Sequence, residues 1–109
     1  MNRLLTALAV LASLCMTPAQ AAFPDKPIKL VVPYAPGGPA DQLARLLGND
    51  MGRTLGQPVV VENRPGAGTI IGARAVATAP ADGYTLFLAT NGSMVLTSLL
   101  YKKIAYDPA

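Results

Sequence analysis

The 109-residue sequence contains no histidine and a single cysteine, Cys15. Without histidine, the chain has no base for a Ser-His-Asp triad and no imidazole ligand for zinc. Because Cys15 falls in the apolar N-terminal stretch, the rest of the chain can form neither a disulfide nor a thiolate site. These absences exclude several enzyme chemistries, and we expect no metal site.

Residues 1–21 have the pattern of a secretory signal peptide. Arg3 gives a positive start, residues 4–16 are an apolar run, and Ala19-Gln20-Ala21 is the small-x-small pattern of a cleavage site. An uncleaved N-terminal anchor is the alternative. No apolar run of about 18 residues follows, so we expect no stable membrane insertion after cleavage. An exported chain without a further cysteine indicates the bacterial periplasm.

The excess of basic over acidic residues is small. The sequence has nine Lys and Arg and six Asp and Glu, for a net charge of +3, to which the leader contributes Arg3. This balance excludes a strongly basic nucleic-acid binder, and we expect no nucleic-acid partner. The apolar fraction of 51% is ordinary for a globular chain and excludes disorder through lack of apolar surface.

The chain alternates strand, loop and helix three times. Strands are predicted over 28–34, 59–62 and 84–90, and helices over 40–55, 69–79 and 94–100. This alternation predicts an α/β fold with a parallel sheet, in which ligands bind outside the carboxyl ends of the strands. Candidate functional residues therefore lie in a first loop (residues 35–41), a second loop (63–69) and a third loop (91–93).

Two helices carry apolar side chains that the spacing predicts to face the interior. In the first helix these residues are Leu43, Leu46, Leu47, Met51 and Leu55, with Arg45, Asn49, Asp50 and Arg53 mostly on the opposite side. In the third helix they are Met94, Leu96, Leu99 and Leu100.

The first loop has two open interpretations. Gly37 and Gly38 permit a sharp bend and a close approach of a ligand to the main chain, and Pro39 suits the first helical position. The free N–H groups that follow are an anion site in one interpretation. In the other, the loop is only a tight turn, and Asp41 complements the helix dipole.

The second loop contains Gly66-x-Gly68-x-x-x-Gly72, which is similar to a dinucleotide fingerprint. Four residues separate Val61 from Gly66, and the acid expected after the next strand is missing, which disfavours a Rossmann-like oxidoreductase domain. We expect a wide turn here. Arg64 either attracts anions or is simply solvated.

The third loop follows a buried strand with Thr90-Asn91-Gly92-Ser93. It offers either neutral donors for a carboxylate, beside the first loop, or a helix cap. Ser93 has no base, so nucleophilic catalysis is not supported.

Several segments together resemble one family over essentially all of residues 22–109. They are FPDKPIKLVVPYAPGGPAD (23–41), LGQPVVVENRPGAG (55–68), ADGYTL (81–86) and YKK (101–103). They resemble the Bug receptors, the periplasmic solute-binding proteins of tripartite tricarboxylate transporters. The resemblance implies a type II periplasmic binding protein fold of two lobes and a non-enzymatic role without cofactor. It also implies a small di- or tricarboxylate ligand and the transporter's membrane components as partners.

The resemblance also implies first-lobe ligand contacts, largely through backbone amides and ordered water. Carried onto this sequence, they fall on Tyr34, Ala35, Gly37, Gly38, Pro39, Ala40, Asp41, Thr90, Asn91, Gly92 and Ser93. The family often has Thr at the position of Ala40 and a polar residue at that of Met94. It often has Gly-Asn in place of Thr69-Ile70, so no ligand role is assigned to the second loop.

Members of the family are much longer. We expect residues 22–109 to be the N-terminal part of the first lobe, without the second lobe and the returning segment. Such a fragment is expected to bind weakly or not at all, and to be marginally stable or to associate. A small standalone interaction domain is the alternative.

Overall fold

The computed structural model describes residues 21–104 and 106–108, so the predicted leader lies outside the described residues except for Ala21. Three parallel strands form one sheet: β1 (Ile28–Val32), β2 (Val59–Asn63) and β3 (Thr85–Phe87). The order is β2-β1-β3, which places β1 in the centre. The predicted parallel α/β arrangement is confirmed.

Helices connect the strands where the sequence predicts them. Helix α1 (Pro39–Leu55) joins β1 to β2, and α2 (Ile70–Ala77), after a 3₁₀ turn at Ala67–Thr69, joins β2 to β3. A π-helical turn, Gly92–Leu96, runs directly into the short helix α3 (Thr97–Leu100). None of the helices in the described part of the chain is long and apolar enough to cross a membrane.

The ends of α1 match their sequence signals. Pro39 takes the first helical position, where its missing N–H breaks no hydrogen bond. Gly56 ends the helix in the left-handed region (φ 71°), and its N–H donates to the Gly52 carbonyl.

The central strand carries the core. Leu30 and Val32 point to the face that α1 covers, where Ala44 joins them in the buried cluster. Val31 and Pro33 are fully buried on the other face, against α2. Alternate residues of β1 thus meet one helix layer on each side, as expected for a strand buried on both faces.

The prediction that the leucines of α1 face the interior is wrong. Leu46 is 67% exposed, whereas Ala44 is fully buried and Gly48 is buried. Leu43, Leu47 and Leu55 are also exposed, and Met51 is half-buried. The helix meets the sheet through small residues because they permit a close approach: a Cβ on Gly48 would lie 3.5 Å from Val59 Cγ1.

The inward face predicted for the third helix is also wrong. Met94, Leu96, Leu99 and Leu100 are exposed, and the buried residues are Ser93 and Thr97. The two buried residues are four apart, which is ordinary helical spacing, but both are polar, so a search for an apolar face misses them. Thr97 Oγ1 lies 3.0 Å from the Gly68 carbonyl oxygen, which ties this helix to the second loop.

The segment before β1 is fixed to the start of β3 by Tyr84. The Phe23 ring meets the Tyr84 ring edge-on at 4.9 Å, and Lys26 Nζ lies 4.4 Å from the centre of the same ring. The Tyr84 hydroxyl donates to the Asp25 carboxylate. These contacts lie at the amino ends of the strands, away from the three loops.

Candidate functional site

The first and third loops meet at the carboxyl edge of the sheet. The Tyr34 hydroxyl, just after β1, lies 2.7 Å from Thr90 Oγ1, after β3. Because β1 and β3 are parallel neighbours, their exits fall at the same edge, which is where the sequence places the candidate residues. The structure therefore brings residues 34–41 and 90–93 together.

Asp41 is the most strongly held charged group at this edge. It is 3% exposed, and its carboxylate accepts three hydrogen bonds, each of 2.9 Å, from Gly37 N–H, Arg45 Nε–H and Asn63 Nδ2–H. The hydrogen bond from Arg45, followed by those from Gly37 and Asn63, lowers the pKa of Asp41 to about 2. Asp41 is therefore ionised at neutral pH, and its carboxylate accepts a hydrogen bond from Gly37 in the first loop.

Asn63, the last residue of β2, is the second anchor of the first loop. Its amide donates to the Tyr34 carbonyl oxygen (3.1 Å) as well as to Asp41. Arg45 Nη2 lies 3.5 Å from Asn63 Oδ1, so the helix, the loop and β2 form one network. The sequence analysis missed Arg45 and Asn63 in this role. The available signals were the Asp41–Arg45 spacing of four residues and the place of Asn63 at a strand end.

The first loop presents backbone donors and a largely apolar wall. Gly37 adopts φ 89°, and its own N–H is directed inward to Asp41. The first helical hydrogen bond runs from Gln42 N–H to Gly38 (3.0 Å), so the N–H groups of Ala40 and Asp41 precede the helical ladder. A depression of about 420 Å³ adjoins them, lined by Tyr34, Ala35, Pro36, Gly38, Pro39 and Ala40.

The third loop is organised by Thr90 and Ser93. Ser93 is fully buried, and its Oγ accepts the Thr90 N–H (2.9 Å) while Thr90 Oγ1 accepts the Ser93 N–H (3.3 Å). This reciprocal pair has the form of a capping box. The Ser93 hydroxyl is thus engaged inside the loop, and the Asn91 side chain is exposed.

The second loop runs through four consecutive residues with positive φ. Gly66, Ala67, Gly68 and Thr69 all have positive φ values, from 48° to 123°. Arg64 pairs with Glu62, which also pairs with Lys29 at 2.9 Å. Hydrogen bonds from Lys29 and Arg64 lower the pKa of Glu62. Arg64 is therefore held beside β2 by an acidic partner.

Within residues 21–104 and 106–108, no group of histidine, cysteine or acidic side chains is arranged to hold a metal ion. The carboxyl edge offers backbone donors and hydroxyl groups, beside a network in which the Asp41 carboxylate is paired with Arg45 and Asn63. Such a set suits the recognition of an anion through oriented amides.

The family model described as the tripartite tricarboxylate transporter family receptor matches residues 43–109. The chain belongs to this family. It is 47% identical over 77 residues to Protein BugT of Bordetella pertussis, covering 71% of this chain and 24% of that protein. The chain spans about a third or less of the length of the curated relatives it matches.

Solved structures of this receptor family share the fold. MatC from Rhodopseudomonas palustris, with bound malate, matches with a TM-score of 0.75 and 44% identity over 79% of this chain and 29% of that one. A second R. palustris protein, with adipate, matches with a TM-score of 0.76 and 41% identity over the same shares of the two chains. The resemblance to the Bug receptors and the periplasmic-binding-protein type of α/β fold are confirmed, and the ligand contacts stay a prediction.

Proposed function

We propose that this chain carries the first-lobe ligand surface of a periplasmic receptor for a small organic di- or tricarboxylate. The receptor presents its ligand to the membrane components of a tripartite tricarboxylate transporter and performs no catalysis. The observation that carries the proposal is the Tyr34–Thr90 contact, which joins the first and third loops at the amino end of α1. We place the receptor in the periplasm in this proposal, which the predicted leader and the similarity to periplasmic proteins support.

The electrostatics of the first loop support an anionic ligand. The amides of Ala40 and Asp41 stand at the positive end of the α1 dipole. Arg45 is paired with Asp41, so the proposed anion affinity comes from backbone donors rather than from a cationic side chain. Apolar atoms of Pro36 and Pro39 line the adjoining depression and suit the hydrocarbon body of an organic acid. Two structural neighbours were solved with malate and adipate.

The proposed contacts are drawn from the first and third loops together with Tyr34 and Thr90. They are Tyr34, Ala35, Gly37, Gly38, Pro39, Ala40, Asp41, Thr90, Asn91, Gly92 and Ser93. In this proposal the main chain of residues 38–41 and the third loop face the ligand, while Tyr34 and Thr90 hold the loops together. The chain spans a minor part of its relatives' length, so we propose weak affinity for the chain by itself.

A titration followed residue by residue tests this function. Malate and adipate are added at millimolar concentration to the ¹⁵N-labelled chain, and amide shifts are recorded. The proposal expects shifts concentrated at Gly38, Ala40 and the third loop, and none with the uncharged diamide of malate at the same ionic strength. Equal shifts with the diamide, or malate shifts confined to the Lys29–Glu62–Arg64 cluster, would contradict it. Micromolar affinity by calorimetry would contradict the weak binding proposed for this chain.

A further inference from the structure

We infer that the side chains of Asp41 and Asn63 act as a positioning pair that fixes the shape of the first loop without touching the ligand, which the main chain of residue 41 is proposed to meet. The inference rests on the proposed function, because it concerns the loop whose amides are proposed to meet a carboxylate. The pair joins the first turn of α1 to the end of β2 across a hydrogen bond of 2.9 Å.

This pair holds the first loop at three points, two of them through hydrogen bonds. Asn63 Nδ2 holds the carbonyl of Tyr34 at the start of the loop. Asp41 Oδ2 holds the N–H of Gly37 in its middle, and Asp41 itself forms its end. Ala35, Pro36 and Gly37 are exposed, so the hydrogen bonds of this pair, rather than burial in the core, set the path of these residues.

The side chain of Asp41 is unsuited to contact an anionic ligand directly. It is only 4% exposed, and its negative charge would repel a carboxylate. Its three partners are all donors, and only a group that accepts at both oxygens satisfies them. The need for two acceptor oxygens explains why an ionised aspartate, rather than an asparagine of the same shape, suits residue 41.

The first test compares Asp41→Asn with Asp50→Asn. Both changes remove one negative charge from α1, but Asp50 is exposed. In Asp41→Asn, an amide group must face the donors of Arg45 or Asn63. We expect hydrogen exchange at Gly37 to quicken about tenfold and malate-induced shifts to need about tenfold more malate. Asp50→Asn is expected to change neither, and equal effects of the two variants would overturn the inference.

A second test uses the donor–acceptor order within the pair. Asn63→Asp places two carboxylates where the structure has an amide and a carboxylate 2.9 Å apart, so Gly37 exchange is expected to quicken most in this variant. Adding Asp41→Asn is expected to restore part of the protection, because the amide at residue 41 then donates to the carboxylate at 63. If Gly37 exchanges faster in the double variant than in either single variant, the pair is overturned. Two independent structural losses would have additive effects on exchange, whereas a direct contact between the two residues would not.

The two readouts separate the pair from the proposed function. If malate shifts no amide of the wild-type chain, the proposed function fails. Hydrogen exchange at Gly37 in the variants still tests whether Asp41 and Asn63 hold the first loop. If malate binds wild type, Asp41→Asn and Asn63→Asp alike, and Gly37 exchange is unchanged, the pair is overturned and the proposed function stands. Protection lost in both variants together with weaker malate binding supports both.

Discussion

Gly72 packs against Pro33 with no space for a side chain. A Cβ at residue 72 would come within 2.9 Å of Pro33 Cβ and 3.0 Å of the Arg64 carbonyl oxygen. This contact sets how closely α2 lies on the central strand. A methyl group at residue 72 would therefore displace the backbone at Pro33, which leads into the first loop, and at Arg64, in the second loop.

Gly72→Ala is therefore expected to lower the free energy of unfolding by about 1–3 kcal/mol, because the added methyl overpacks the contact with Pro33. Urea titration followed by far-UV circular dichroism measures the change. Gly48→Ala in α1 is the matched control, since its Cβ would meet Val59 at ordinary contact distance, 3.5 Å. The control is expected to be neutral or slightly stabilising. Equal midpoints for the two variants would contradict this packing.

The orientation of α1 gives a second prediction. Ala44→Leu is expected to destabilise the chain by about 1–3 kcal/mol, because residue 44 is fully buried against Leu30 and Val32. Leu46→Ala is expected to change stability by less than about 0.5 kcal/mol, since Leu46 is mostly exposed. Thermal melts of both variants measure the difference. If Leu46→Ala destabilises the chain more than Ala44→Leu does, the leucines face the interior as the sequence predicts, and this orientation of α1 is contradicted.

Tyr34→Phe tests the contact between the first and third loops. The change removes the hydroxyl that lies 2.7 Å from Thr90 and is expected to cost about 0.5–1.5 kcal/mol. Exchange of the Thr90 and Ser93 amides is expected to quicken with it. Tyr101→Phe, at an exposed tyrosine, serves as the control. Unchanged exchange in the third loop after Tyr34→Phe would show that the hydroxyl does not hold the loops together.

Acid stability depends on Asp41. Its pKa falls from 3.8 to about 2 in the folded chain. The stabilisation by the ionised form is present above the unfolded value and is lost as the pH drops through the folded one. We expect wild-type stability to decline between about pH 4 and pH 2, and Asp41→Asn to lack that part of the decline. Denaturation at several pH values measures it, and equal acid slopes for wild type, Asp41→Asn and Asp50→Asn would contradict the shift.

Local signals predict where each strand and helix lies, although β3 is shorter than predicted and the third helix begins as a π-helical turn. β-branched runs such as Val59-Val60-Val61 and the punctuation of Pro39 and Gly56 depend on neighbouring residues alone. The parallel-sheet rule then placed the first and third loops at one edge, and the Tyr34–Thr90 contact agrees with that placement. These features follow from backbone propensity and from chain connectivity.

The buried helix faces and the Asp41 network could not be predicted in the same way. Leucine spacing identifies an apolar stripe, but Ala44 and Gly48 decide which stripe lies closest to the sheet, and that depends on the distance between layers. Asn63 meets Asp41 only because α1 and β2 pack side by side. A contact between residues so distant in sequence leaves no local pattern.

The central place of β1 governs the order in which this sheet assembles. Its partners are β2 and β3, both later in the chain, so no strand pairing is available until residue 59 has been added. Until then β1 has no neighbouring strand, and Val31 and Val32, which are buried in the folded chain, stay exposed. The central position of β1 thus makes the interval before β2 is complete the stage at which the folding chain is most exposed to aggregation.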